Sequence, residues 1–351
     1  MAEGSGSGIY AEYSSNFKFL GTVVFQNNTC FTGCGIAALD SSKISFKGSA
    51  TFAGNKAEGS GSGIYALFTS TLEFLGTAVF QRNTCSFGCG IAASITNISF
   101  DGSATIEGNM ADVSGSGIYA EHSNTEFLGR VVFQNSICSI GCGIAAYDNS
   151  KLEFLGTAMF QSNTCSTGCG IAALHSSILF NGSNTVFLGT TVFQNNTCSE
   201  GCGIAAVDNS NIEFLGTAVF QNNTCYAGCS IFVTDNVNIL FNGSTKFEGN
   251  KAEGSGGIYV FNSSNLEFLG TTVFHNNTCY AGCGILAAND SNIFLSANVI
   301  FEENVADTFG GAVFTFSSAM KFDSTATFHN RTGQQKVVHS TLLQKILQPY
   351  F

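Results

Sequence analysis

The chain has 351 residues, with 41 Gly, 34 Phe, one Pro, no Trp and a net charge of −11. With 44% hydrophobic, 12% aromatic and only 11% charged residues, it is too apolar for a disordered chain. Its 13 scattered Lys and Arg make no footprint for a phosphate backbone, so a nucleic-acid partner is excluded. No apolar run reaches the roughly 18 residues of a membrane span, and the opening Met1-Ala2-Glu3 lacks the basic start and apolar segment of a signal peptide.

Taken from the start, the chain reads as one unit copied about a dozen times. The first copy runs Gly8-Ile9-Tyr10-Ala11, then Phe17-Lys18-Phe19-Leu20-Gly21, then Val23-Val24-Phe25-Gln26-Asn27-Asn28. The Gly-Ile step returns at Ile36, Ile64, Ile91, Ile118, Ile144, Ile171, Ile204, Ile231, Ile258 and Ile285, and as Val313, every 26 to 28 residues except for one interval of 33. A mid-unit anchor recurs as Phe19, Phe46, Phe74, Phe100 and so on to Leu295 and Phe322. Six residues later stands a third anchor, Phe25, Phe52, Phe80, Ile106 and so on to Phe328. All three segments alternate apolar and polar residues with period two between Gly, Asn and Ser, which is a strand signature.

Three short strands per unit, repeated in register, predict an all-β fold: a right-handed parallel β-helix of about 12 coils of about 27 residues over 1–332. A single coil cannot bury its apolar face, but stacked coils can. At about 4.8 Å per strand the rod is roughly 55–60 Å long. Three residues after the third anchor comes Asn28, Asn55, Asn83, Asn109, Asn163, Asn196, Asn223, Asn250, Asn277 or Asn304, with Ser136 and Arg331 as the exceptions. A polar column in an apolar corner needs partners, so these side chains are expected to form a ladder from coil to coil. The 33-residue interval holds both Ile178-Leu179-Phe180-Asn181-Gly182 and Val186-Phe187-Leu188-Gly189, so its extra residues must bulge from one coil. After the repeat, Val337, Val338, Leu342, Leu343, Ile346 and Leu347 recur at helical spacing. This predicts a tail over 333–351 whose residues 334–348 form a helix capping the last coils.

A Gly-Gly-Ala-[Ile/Leu/Val] step followed by Phe-x-x-Asn is the repeat signature of the polymorphic outer-membrane protein family, and this chain resembles it. Gly310-Gly311-Ala312-Val313 matches the first motif and Gly256-Gly257-Ile258 approaches it. Other copies read Gly-Ser-Gly-Ile or Gly-Cys-Gly-Ile, while Phe-x-x-Asn covers nearly the whole chain. The resemblance implies an autotransporter-passenger-like β-helix with a role in adhesion or surface display, and supplies no catalytic residues.

The 14 cysteines form seven C-x-x-x-C pairs: Cys30/Cys34, Cys85/Cys89, Cys138/Cys142, Cys165/Cys169, Cys198/Cys202, Cys225/Cys229 and Cys279/Cys283. An even set at one spacing reads as disulfides and so as an oxidising compartment, extracellular or cell-surface. Three pairs (Cys30/Cys34, Cys85/Cys89 and Cys279/Cys283) lie in coils whose neighbours lack Cys and can close only within their own turn. The other four are expected to do likewise, with bridges between coils 138–229 as the alternative. Each closure is expected to stiffen a corner of its coil. Reduced thiols and a metal site compete, but zinc wants four ligands and an isolated coil offers two. Ten N-x-S/T sequons, at Asn27, Asn97, Asn181, Asn195, Asn222, Asn242, Asn262, Asn276, Asn289 and Asn330, fit a glycoprotein, and equally fit turns that favour these residues.

Two columns could carry binding. One is the residue after each Gly-Ile: Tyr10, Tyr65, Tyr119, Phe232, Tyr259 and Phe314 stand among Ala37, Ala92, Ala145, Ala172, Ala205 and Leu286. If Ile points inward these point outward, where aromatics two coils apart can stack on sugars or dock a cell-surface protein. The last four members are apolar throughout and need a cover, for which the tail is a candidate. The other column precedes the mid-coil Phe and holds Glu73, Glu126, Glu153, Glu213 and Glu267. It reads as a solvated face, with weak calcium binding as the alternative. Asp40, Asp148, Asp208 and Asp290 read as turn residues. An active site is a unique constellation, whereas nearly every polar position here is a copy. The expected function is therefore a non-enzymatic adhesive scaffold without cofactors, binding glycans or partner proteins. A pectate-lyase-like carbohydrate-active enzyme is the alternative. The chain opens in mid-repeat, which predicts a longer parent protein.

Overall fold

The computed structural model describes residue 6, residues 8–174 and residues 183–329. The described chain is a right-handed parallel β-solenoid. Each coil contributes one strand to each of three 12-stranded parallel sheets. The first sheet runs from Ile9–Ala11 to Val313–Phe316, the second from Asn16–Phe19 to Ala319–Phe322 and the third from Val23–Gln26 to Ala326–His329. Registers follow the anchors: Ile9 pairs with Ile36, Phe19 with Phe46 and Phe25 with Phe52. Lys151 pairs with Asn184 and Ile171 with Ile204, so the excess of the 33-residue coil falls between Leu174 and Ser183. Residues 175–182 and 334–348, where the bulge and the capping helix are expected, lie outside the described residues.

Period-two strands send every second side chain into the lumen, and the phenylalanines fill it. Within the second and third sheets, rings of successive coils stack nearly parallel with centroids 4.5–5.0 Å apart. The two stacks meet edge to face at 5.7–6.3 Å. Offset stacking within a column and edge-on contact between columns are the two arrangements favoured by the ring quadrupole. The glycine that precedes most of these Ile residues is favoured by close approach, with Ser230 standing in its place before Ile231. A Cβ on Gly35 would lie 2.4 Å from the Gly63 carbonyl oxygen and 2.8 Å from the Phe52 ring.

The corner after the third sheet holds the asparagine ladder. Asn55 donates from Nδ2 to Asn83 Oδ1 (3.1 Å) and to the Phe25 carbonyl (3.0 Å), while Asn83 Oδ1 also accepts from the Asn55 backbone N–H. Asn83, Asn196, Asn223, Asn250 and Asn277 repeat all three bonds. Each amide thus satisfies two buried backbone groups of the preceding coil and donates to the amide of the following one. At Ser136 only the backbone bond to Asn163 Oδ1 remains on that side.

Past this corner the structure adds a fourth side that the sequence reading lacks. Short strands such as Thr29–Cys30, Lys56–Ala57, Thr84–Phe87 and Met110–Ser114 form a four-stranded sheet. A second one involves Thr224–Cys225, Lys251–Ala252, Thr278–Ala281 and Val305–Phe309. Between them, coils with consecutive cysteine turns keep only isolated bridges, such as Ile137 to Thr164 and Thr164 to Thr197.

Candidate functional site

All seven cysteine pairs are disulfides within their own turns: Cys30–Cys34, Cys85–Cys89, Cys138–Cys142, Cys165–Cys169, Cys198–Cys202, Cys225–Cys229 and Cys279–Cys283. The alternative of bridges between coils 138–229 is thereby excluded. The structure adds that this corner is interior. The second cysteine of every pair (Cys34, Cys89, Cys142, Cys169, Cys202, Cys229 and Cys283) has no exposed surface. Cys34, Cys89 and Cys142 pack in one small core with Ala57 and Ala111, and Cys202, Cys229 and Cys283 in another with Ala252. They are packing residues, closed to a ligand, and the site must be sought beside them.

What encloses them is the backbone of an adjacent coil. Cys34 Sγ lies 3.0 Å from the Lys56 carbonyl oxygen. In the run of consecutive cysteine coils, Cys142, Cys169 and Cys202 stand 3.2 Å from the carbonyl oxygens of Thr164, Thr197 and Thr224. A disulfide sulfur has no hydrogen to donate, so these are close O···S contacts rather than hydrogen bonds. The turn folds back through a glycine at positive φ, Gly33 at +63° in the first coil and Gly88 at +60° in the third. It then lies over the residue after Gly-Ile. A Cβ on Gly33 would touch the Ala37 Cβ at 2.9 Å, and one on Gly88 would touch the Ala92 Cβ at 2.7 Å.

This fold-back sets the surroundings of the aromatic column. The column does point away from the main lumen, but it forms the floor of a lateral groove rather than an open stripe. One wall is the turn column, including Ser60, Phe87, Ala227, Ala281 and Phe309. The other is the column two residues further along the first-sheet strand and its end, including Leu67, Glu121, Tyr147, Phe261 and Phe316. Tyr10 is 48% exposed and Tyr65 and Tyr119 are half-buried, whereas Phe232 and Tyr259 keep only 8% and 4% of their surface. Phe232, Tyr259, Phe261, Ala281, Leu286 and Phe309 form a further small core, with Phe314 and Phe316 packed on it. Its cover is thus the turn column and neighbouring aromatics of the coils themselves.

The other half of the groove is open. Between Tyr65 and Tyr119, with Ala92 and Ala93 beneath, is a cavity of about 200 Å³ rimmed by Ser60, Phe87, Ser94 and Glu121. Phe87 meets Tyr119 edge-on at 5.6 Å, and Tyr147 lies 5.1 Å from the far face of Tyr119. Burial first, then the Glu121 carboxylate, raises the Tyr65 and Tyr119 hydroxyls above the ordinary tyrosine value, with Tyr147 and Asp148 adding to Tyr119. At neutral pH both rings are therefore neutral, with an apolar face and a polar tip.

The glutamate column lies on the outer face of the second sheet. Glu73 pairs with Lys43, and Glu153 with Lys151 at 2.7 Å. Among the described residues no three of its carboxylates converge on a common point. A second asparagine ladder, which the sequence reading missed, flanks it. Asn124 donates to Asn97, and Asn292, Asn265, Asn238 and Asn211 each donate to the Asn one coil before, as far as Asn184, at 2.8–3.0 Å. The signal was present, since these asparagines stand three residues before the mid-coil Phe, but an exposed Asn beside a turn is unremarkable by itself. Asp40, Asp148, Asp208 and Asp290 all sit in turns at positive φ, where Asp and Asn are tolerated.

Comparison with known proteins agrees with this architecture. The family model described as right handed beta helix region matches residues 2–159. The model for the Chlamydia polymorphic membrane protein repeat matches residues 298–315, which include Gly310-Gly311-Ala312-Val313. The chain thus shares the parallel β-helix architecture that the first model describes, and one of its repeats is similar to the polymorphic membrane protein repeat. No curated protein and no solved structure matches it.

Proposed function

We propose that the chain is a non-enzymatic adhesive scaffold of the extracellular space or cell surface, and that the open half of its lateral groove binds sugar rings. The observation that carries this reading is the contrast between a filled half of the groove and an aromatic-walled slot left open in the other half. Tyr65 and Tyr119 stand two coils apart, about 10 Å by strand spacing, with only alanine between them. A pyranose ring offers apolar C–H faces to aromatic walls and hydroxyls to a rim such as Ser94 and Glu121. At about 200 Å³ the slot is below the roughly 300 Å³ of pockets that enclose a ligand, so one slot holds weakly. Tyr10, Ala37 and Tyr65 repeat the same spacing one step earlier, and linked weak sites gain avidity. The matched repeat family supports surface display, and the seven disulfides support an oxidising compartment.

A glycan array probed with the full chain, followed by the Tyr65→Ala and Tyr119→Ala variants, tests this. The expected result is binding to a defined glycan set that both variants lose, with no product released from the bound glycan. Release of reducing ends or unsaturated products would instead establish a carbohydrate-active enzyme. Absence of any glycan signal would remove the groove reading and leave a scaffold for proteins.

A further inference from the structure

The described turns between the first and second sheets come in two lengths. Most use two residues at positive φ, such as Asp148 and Asn149, Asp208 and Asn209, or Asp235 and Asn236. The turn after Ile118–Glu121 is a short one, like those at Ile95 and Ser317, with only His122, at φ 46°, before Ser123. Shortening by one residue brings His122 over the next coil, where its backbone N–H is shared between the Tyr147 carbonyl (3.3 Å) and the Asp148 carbonyl (3.1 Å). Glu121 ends the strand and pairs in register with Tyr147, the neighbour of Asp148. One imidazole and two carboxylates from two successive coils are thereby collected, their ligand atoms all within 4.8 Å of one another.

We infer that Glu121, His122 and Asp148 form a binding site for one divalent transition-metal ion of the zinc class. The donor set selects the ion. Calcium takes six to eight oxygen ligands, which three side chains including an imidazole do not supply. Zinc takes imidazole nitrogen and carboxylate oxygen at about 2.0–2.2 Å, and three protein ligands leave a fourth position for water or an exogenous ligand. Donors about 2.0–2.2 Å from one ion stand roughly 3.3–3.6 Å apart, so these three must draw together from their separations of up to 4.8 Å when the ion binds. Burial is graded to suit: Asp148 is 4% exposed while Glu121 and His122 are half-buried, so the site is anchored on one side and open on the other. Because Glu121 also rims the Tyr65–Tyr119 slot, the ion would stand at the groove's edge, although the site does not depend on sugar binding. No other described turn of this series carries a histidine, so the copying that built the rod does not account for this set.

Calorimetric titration of the metal-free full chain with zinc chloride, and separately with calcium chloride, tests the assignment. His122→Asn and Asp148→Asn are the informative variants, since asparagine occupies the equivalent positive-φ turn position elsewhere in this chain (Asn262, Asn289) and keeps the backbone. The expected result is one zinc per chain, no comparable calcium binding, and loss of the zinc site in both variants with an unchanged circular dichroism spectrum. His275, whose ring nitrogens lie 3.3 Å from Glu248 and 3.6 Å from Glu303, is the control. If zinc binding survives in His122→Asn but disappears in His275→Asn, the assignment is overturned. It is equally overturned if zinc does not bind, or binds equally to all variants.

Discussion

The two halves of the lateral groove occupy the same columns of the same repeat, yet one is filled and the other open. In the C-terminal half, the cysteine coil closed by Cys225–Cys229 carries Phe232, followed by Tyr259, Leu286 and Phe314, and the walls add Phe261, Phe309 and Phe316. In the N-terminal half, the equivalent cysteine coil closed by Cys85–Cys89 carries Ala92, so Tyr65 and Tyr119 have no filler between them. The backbone registers are the same in both halves. The difference lies in a few side chains on an invariant frame: one choice makes a second core and the other a slot. A solenoid allows this because each coil answers only to its neighbours.

The largest effect expected from this comparison is on stability. Phe232→Ala should cost about 3–5 kcal/mol, as for other buried aromatics, while Tyr65→Ala should cost on the order of 1 kcal/mol because its ring is already half in water. Hydrogen exchange measured coil by coil is the suitable readout, since long repeat arrays do not unfold as one unit. Equal costs in the two halves would mean that the groove is not differentiated. The inner asparagine ladder crosses both halves with the same bonds. Asn83→Ala and Asn223→Ala should therefore cost the same, about 1–3 kcal/mol for each buried group left without a partner. Asn238→Ala, in the exposed outer ladder, should stay within about 0.5 kcal/mol. Unequal costs for Asn83 and Asn223 would show that the halves differ in their frame as well as in their groove.

The smallest effect concerns Glu200, whose turn abuts the filled half. Partial burial raises its carboxyl above the ordinary glutamate value, and its charge adds to the burial that raises the Tyr259 hydroxyl. A raised folded value means that the carboxyl's contribution is complete below the unfolded value, near 4.5, and is lost as pH rises through the folded one. Glu200→Gln should therefore raise the melting temperature slightly at pH 7 and leave it unchanged at pH 4. A gain of equal size at both pH values would place the effect in packing rather than in charge.

The frame was legible in the sequence because the 27-residue period and the period-two alternation together fix both register and facing. Phe25, Phe52 and Phe80 could only stack once Ile9, Ile36 and Ile64 were aligned. The disulfides of isolated coils followed from the absence of any other Cys within reach. What the sequence hid was depth. Spacing pairs Cys138 with Cys142 but does not tell that Cys142, like Cys169 and Cys202, is sealed under the coil that stacks on it. Whether Tyr65 or Tyr259 meets water depends likewise on how far the turn folds back at Gly61, Gly88 or Gly228, and on which residue the coil above presents. Alternation assigns a side chain to a face but says nothing of what covers that face. The fourth side was hidden for a related reason: pairs such as Thr29–Cys30 and Lys56–Ala57 are too short for a periodic signal, and only stacking makes them strands.

Ala92→Phe tests the central claim most directly, because it gives the open half the residue that closes the other half at the equivalent position, Phe232. The measurement is the affinity of the wild-type chain and of this variant for a glycan found on the array, with circular dichroism and a free-thiol count confirming that fold and disulfides are retained. The account predicts an intact rod that no longer binds the glycan. Undiminished binding by an intact Ala92→Phe chain would contradict it, and would place recognition somewhere other than the groove.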